Sequence, residues 1–170
     1  MVKANRAILA GMASDFLSYN HEQFMREALK EAERALQQGE RPIGAVVVHR
    51  GKIIGRGQAQ HVKRHSEVAH AEMNALIQSE KYLHDHTHEC TIYSTVEPCV
   101  MCLGAIVMSD ISNVVFGVPD RWISPGKMLE MDYVRRHIQN YVGGVLQDES
   151  AALWLKSDPV VLRMIQEGKR

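Results

Sequence analysis

An α/β fold, with a mixed sheet covered by helices, is what this sequence of 170 residues predicts, and two patterns carry the prediction. The first is a hairpin signature: a β-branched run from Ile43 to His49 meets the turn Arg50-Gly51 and continues from Lys52 to Gln58. The second is a strand, turn, helix, strand order between Cys90 and Val118, a βαβ unit whose right-handed crossover leaves its strands parallel. An antiparallel opening joined to a parallel continuation makes the sheet mixed.

Asn20 precedes His21-Glu22-Gln23 in a capping-box pattern, after which Phe24, Ala28, Leu29, Ala32, Ala35 and Leu36 recur at helical spacing until Gly39 stops the run. The hairpin follows. Gln58 to Ser66 is polar and reads as a loop, and Val68 to Glu80 has helical periodicity through Ala71, Ala75, Leu76 and Ile77, which sets His70 and Glu72 in the first turns. His84, His86 and His88 alternate in an exposed connection, where a shared face without fixed geometry does not make a second metal site. Cys90 to Thr95 is a strand, Glu97-Pro98 a turn, Cys99 to Met108 a helix and Asn113 to Val118 a strand. Tyr141 to Gln147 supplies a last strand weakened by Gly143-Gly144, and Ser150 to Lys156 and Val160 to Gly168 are helices separated by the cap and first-turn proline Asp158-Pro159.

The length suits one ordinary core, so the expected organisation is an N-terminal arm over 1–19 and a single domain over 20–170. A formal net charge of zero gives no global attraction to nucleic acid. Three cysteines, an odd number, make a disulfide framework improbable and fit a reducing compartment, the cytoplasm. The apolar run Ala7 to Ala10 is too short for an export signal, and no stretch has the length needed to cross a bilayer, so no membrane partner is expected.

The chemistry gathers in His70-Ala71-Glu72 and Pro98-Cys99-Val100-Met101-Cys102. Catalytic zinc takes three protein ligands and keeps a fourth position open, and one His with two Cys is such a set. His70, Cys99 and Cys102 fit it, with one zinc per subunit. Two residues between the thiols at a helix start let both sulfurs face one ion, and the helix N-terminus favours thiolates. Zinc lowers the pKa of water toward about 7. Glu72, two residues beyond the ligand His, is then placed as general acid/base without ligating. A purely structural site would need a fourth ligand, from Cys90 or a nearby His, and would not need Glu72.

Thr95-Val96-Glu97-Pro98-Cys99-Val100-Met101-Cys102-Leu103-Gly104-Ala105 resembles the second motif of the cytidine/deoxycytidylate deaminase superfamily, whose H-x-E…P-C-x-x-C signature the chain carries. More narrowly, it is similar to the branch of tRNA adenosine deaminases, bacterial guanine deaminases and fungal-type cytosine deaminases. Pro42 to Val48, Val114-Val115-Phe116-Gly117 and Gly144-Val145-Leu146 before Asp148-Glu149 agree with it in order. The resemblance implies a cytidine deaminase-like three-layer α/β/α sandwich with a five-stranded sheet, hydrolytic release of ammonia from an aminated heterocycle, and a homodimer or larger assembly.

The resemblance also nominates substrate contacts. The backbone amide of Ala71 corresponds to one that binds substrate. An Asn is usual in the loop after the second strand, but an ungapped alignment puts Ala59 there, between Gln58 and Gln60. A neighbouring Gln supplies the amide, the loop is shifted by one, or the preferred ring differs. Trp122 is either an aromatic lid, a stacking contact of about 1–3 kcal/mol, or a core or dimer contact. Asp148 and Glu149 open the helix where some members keep an acidic residue that reaches substrate; charge complementarity to the helix N-terminus is the plainer alternative. Residues 118–127 are unlike the Lys- and Gly-containing loop of tRNA adenosine deaminases, while His61, Lys63, Arg64 and His65 suit a phosphate or a solvated loop. The expected function is zinc-dependent hydrolytic deamination of a free base or small nucleoside, guanine-like or cytosine-like rings first. One alternative is tRNA adenosine-to-inosine editing; another, of a different class, is a zinc-stabilised binding module without catalysis.

Overall fold

The computed structural model describes residues 16–86 and 89–169. Residues 1–15, most of the expected arm, and His88 lie outside them.

Helix α1 (His21–Gln37) forms as its pattern requires: the Asn20 side chain accepts from the Gln23 amide at 3.1 Å, and Phe24, Met25, Ala28, Leu29, Ala32 and Ala35 make the buried face. Strands β1 (Gly44–His49) and β2 (Lys52–Gln58) are the expected hairpin, with Arg50 and Gly51 both at positive φ in the turn. Strands β3 (Cys90–Val96), β4 (Asn113–Val118) and β5 (Asn140–Val142) complete a sheet of order β2-β1-β3-β4-β5. β1 is antiparallel to β2 and β3, whereas β3, β4 and β5 run parallel. The sheet is therefore mixed and five-stranded, as expected.

Strand alternation builds the layers. Ala45, Val47, Ile92 and Val114 pack with Ala71, Ala75 and Leu76 of helix α3 (Ala71–His86) and with Leu103 and Ile106 of helix α4 (Val100–Met108). Val46, Val48, Tyr93 and Val115 face the other way, onto α1 and Leu153 of helix α6 (Gln147–Ser157). At the ends of β3 and β4, Val96 and Val118 meet Trp154, Leu162 and Ile165 of α6 and α7 (Pro159–Glu167), the latter capped by Asp158. Gly44 and Gly57 let helices approach the sheet: a Cβ at Gly44 would run into backbone of Ala28 and Ala32, and one at Gly57 into that of Ala71 and Ala75.

Several boundaries differ from expectation for long-range reasons. Within the expected loop 58–66, a short helix α2 (His61–Arg64) forms because the buried Glu40 carboxylate accepts from the amides of Val62, at 3.0 Å, and Lys63, at 2.7 Å. α3 begins at Ala71, so His70 stands just outside it, with its carbonyl accepting from Asn74 at 3.0 Å. The helix also runs on past Glu80, so His84 and His86 lie in its last turn, not in an extended connection; buried Leu83 and a Tyr82–His86 ring stack at 4.4 Å hold that turn. β5 has three residues and stops before Gly143, where a side chain would meet the Phe116 ring. Between β4 and β5 the chain forms a 3₁₀ turn (Pro125–Glu130) and helix α5 (Asp132–His137), which periodicity did not reveal. Among the described residues, no helix is long and apolar enough to cross a membrane.

Candidate metal centre

Two helix starts converge at one end of the sheet. His70 immediately precedes α3, and Cys99 is the N-cap of α4 with Cys102 in its first turn. The His70 Nδ1 lies 3.6 Å from Cys99 Sγ and 3.5 Å from Cys102 Sγ, and the three atoms all fall within 4.8 Å of one another. A tetrahedral zinc with ordinary Zn–N and Zn–S bonds separates its nitrogen and sulfur ligands by about 3.5 Å. Both nitrogen–sulfur separations match that spacing, so the donor set fits the ion.

Glu72 lies in the first turn of α3 and is 3 % exposed. Its Oε1 accepts from Ser94 Oγ at 3.2 Å, and its Oε2 lies 3.6 Å from Cys102 Sγ. It therefore sits beside the ligand set. Burial raises the carboxyl pKa above the usual carboxylate range, against the opposing pull of its own backbone amide and His70. The Cys102 thiol and His70, overcoming burial, draw the Cys99 thiol down to about 4. Contact with Cys99 in turn raises His70.

Hydrogen bonds behind the ligands clip their loop in place. Buried Glu97, one of the motif residues, accepts from the Asp120 amide at 2.8 Å and from the Tyr141 hydroxyl at 2.7 Å. Asp120 Oδ1 accepts from the amides of Trp122 and Ile123, each at 2.9 Å. Ser94, Asp120 and Tyr141 were not foreseen as site residues, and His61 was expected only as a phosphate contact or part of a solvated loop. Only Ser94 left a readable signal, being polar on the Ile92 parity of β3, the face toward α3.

The nominated substrate contacts scatter. Ala71 lies between ligand and carboxylate, fully buried against Gly57. Ala59 extends the hairpin ladder, its amide donating to the Ile43 carbonyl at 3.0 Å, so alternation sets it on the α3 face with Gly57. Gln58 belongs to the opposite parity. Its Nε2 reaches Gln38 at the end of α1 at 3.3 Å, so this glutamine is not turned to the metal centre in place of the usual Asn. Gln60 lines a polar groove with Arg64 and Asn74. Trp122 is 44 % exposed in the turn after β4. Asp148 is exposed, and Glu149 pairs with Arg26 of α1 at 3.7 Å, on the outer helical face. His61, by contrast, brings its ring against that of His70, with centroids 4.9 Å apart.

The cytidine and deoxycytidylate deaminase zinc-binding region matches residues 18–118. A tRNA-specific adenosine deaminase of Bacillus subtilis (strain 168) is 39% identical over 136 residues, covering 78% of this chain and 84% of that protein. A solved structure from work on A-to-I editing by tRNA:A34 deaminases superposes with a TM-score of 0.70 at 29% identity, over 77% of this chain and 98% of the other. The structure of a guanine deaminase from Bacillus subtilis is 36% identical, with a TM-score of 0.54 over 58% of this chain and 64% of its own.

Proposed function

We infer the reaction from one premise: the chain belongs to the family of cytidine and deoxycytidylate deaminases, whose zinc-binding region it contains. It is a hydrolase of C–N bonds that replaces a ring amine by oxygen and releases ammonia. His70, Cys99 and Cys102 would hold the zinc, which would supply Lewis acidity and a water nucleophile at neutral pH. The observation that carries the catalytic reading is the buried Glu72 carboxylate beside the ligand set, 3.6 Å from Cys102 Sγ. From there the carboxylate takes one proton from the attacking water and gives it to the ring nitrogen, then takes the second from the hydroxyl left on the ring carbon and gives it to the amine, which departs as ammonia.

Adenosine in tRNA is the substrate we place first, reversing the order expected from the sequence. The Bacillus subtilis tRNA-specific adenosine deaminase supports it. So do the exposed Lys63 and Arg64 of α2 and its C-cap His65, which follow the histidine packed on His70 and suit an RNA backbone. A free guanine-like or cytosine-like ring is the second reading. It is favoured by residues 118–127, where a turn carrying exposed Trp122 and the start of the 3₁₀ segment differ from the Lys- and Gly-containing loop. A second copy of the chain is the partner we assign to the α3–α4 face, where exposed Ile77 and Met108 border a groove of about 490 Å³; light scattering in solution tests it.

The deciding experiment incubates zinc-loaded protein with an RNA stem-loop bearing one loop adenosine, with guanine and with cytosine, and measures ammonia. Release from the RNA alone, with affinity falling steeply as salt rises, supports the first reading. Release from a free base selects the second. No release from any of them returns the chain to a zinc-stabilised binding module.

A further inference from the structure

In the loop between β2 and α3, His61 is the side chain with two buried polar atoms that lack a partner among the described residues. His61 meets the ring of His70 edge-on, with centroids 4.9 Å apart and planes at 61°. Its Nδ1 and Nε2 are both buried, with no hydrogen-bond partner among the described residues. An imidazole donates and accepts, and leaving both groups unmade in a folded protein is unfavourable unless something binds there. Among the loop's other polar groups nearby, Gln58 Oε1 is also buried without a partner among the described residues, but that glutamine faces away from His70 and is held by its other end. Gln58 Nε2 is on Gln38, and Asn74 holds the Gln58 carbonyl at 2.8 Å and the Arg64 guanidinium at 2.8 Å.

The position of His61 is built by the fold. Buried Glu40 accepts the amides of Val62 and Lys63, so the first turn of α2 is fixed from the end of α1 and residue 61 starts it beside His70. Ala59, on the α3 face of the same loop, has only a methyl group to offer.

We propose that His61 is a specificity-determining residue that hydrogen-bonds the polar edge of the aminated ring at the metal centre, the task for which Ala59 has no group. This rests on the deaminase reading above. Through His61 the loop supplies one donor and one acceptor to a ring edge that presents their complements, and it does so from the side of the ligand histidine.

The test compares His61→Phe, which keeps a ring against His70 and removes both nitrogens, with His61→Asn, which restores a donor and an acceptor. Zinc per chain, Tm, kcat and KM are measured on the RNA stem-loop, guanine and cytosine. The expected result is a KM raised about tenfold or more by His61→Phe, with kcat changed less than about threefold and zinc and Tm retained, and a KM recovered largely by His61→Asn. An unchanged KM in His61→Phe, an equal KM in both variants, or a KM rise accompanied by zinc loss overturns the assignment, the last by making His61 a positioning residue for His70. Wild-type protein that releases ammonia from none of the three overturns the deaminase reading itself. Active wild type with an unaffected His61→Phe overturns the role of His61 alone.

Discussion

Glu72 and Cys102 approach to 3.6 Å across the floor of the site, the carboxylate on the first turn of α3 and the thiol on the first turn of α4. Ligand and proton carrier are thereby on different helices, so each can be removed without the other. Glu72→Gln is expected to lower kcat by roughly 10²–10⁴ while retaining zinc. Ammonia release and metal content, measured on the same sample, check it. Activity surviving the substitution would reassign the proton carrier.

Removing a ligand should act on metal and stability together. His70→Ala takes away the one nitrogen donor that faces both sulfurs, so zinc content should fall well below that of wild type. Chelator should lower the Tm of wild-type protein and leave that of His70→Ala nearly unmoved, because a ligand at about 100 times its Kd adds about 2.7 kcal/mol to folding. Calorimetry with and without zinc measures both effects.

Gly57→Val should damage the site from the far side of α3. A side chain there collides with the backbone of Ala71 and Ala75, in the turn that carries Glu72. Overpacking of this kind costs about 1–3 kcal/mol, and the shift should also weaken zinc binding. Urea unfolding and zinc titration report the two consequences.

Tyr141→Phe removes the hydroxyl that donates to buried Glu97 at 2.7 Å. Hydrogen bonds to charged groups contribute about 1.5–3 kcal/mol, so the urea midpoint should fall with an unchanged slope. A midpoint equal to wild type would mean that the Asp120 amide alone satisfies Glu97.

Glu27 sets part of the acid limit of stability. Hydrogen bonds from Lys30 and Arg56 hold its carboxyl below the ordinary value of 4.5, against partial burial. A depressed folded pKa contributes stability above the unfolded value and loses it as pH falls through the folded one. The difference in unfolding free energy between wild type and Glu27→Gln should therefore be full at neutral pH and shrink below 4.5. Urea melts across that range measure it.

Elements with local signatures were legible. The Asn20 cap, the hairpin turn and the βαβ order depend on residues near in sequence, and the structure has each of them. The 3₁₀ segment and α5 were not: their residues show no apolar repeat, and among α5's residues Val134 alone is buried. Nor was α2, whose amides are satisfied by Glu40 from outside the segment. The glutamine beside Ala59 looked able to replace the usual Asn until the ladder from Ile43 fixed its parity.

The sequence by itself determined the ligand types, their order and the fold class, because metal chemistry is carried by residue identity and strand or helix periodicity by near neighbours. Only the tertiary structure decided that the His70 nitrogen and two thiols stand at the separations a tetrahedral ion imposes, that Glu72 is walled off beside them, and that His61 rather than Gln58 stands against the ligand histidine. Those outcomes depend on which strand face a residue occupies and on which distant carboxylate holds its backbone. Chain folding fixes both through contacts between residues far apart in sequence.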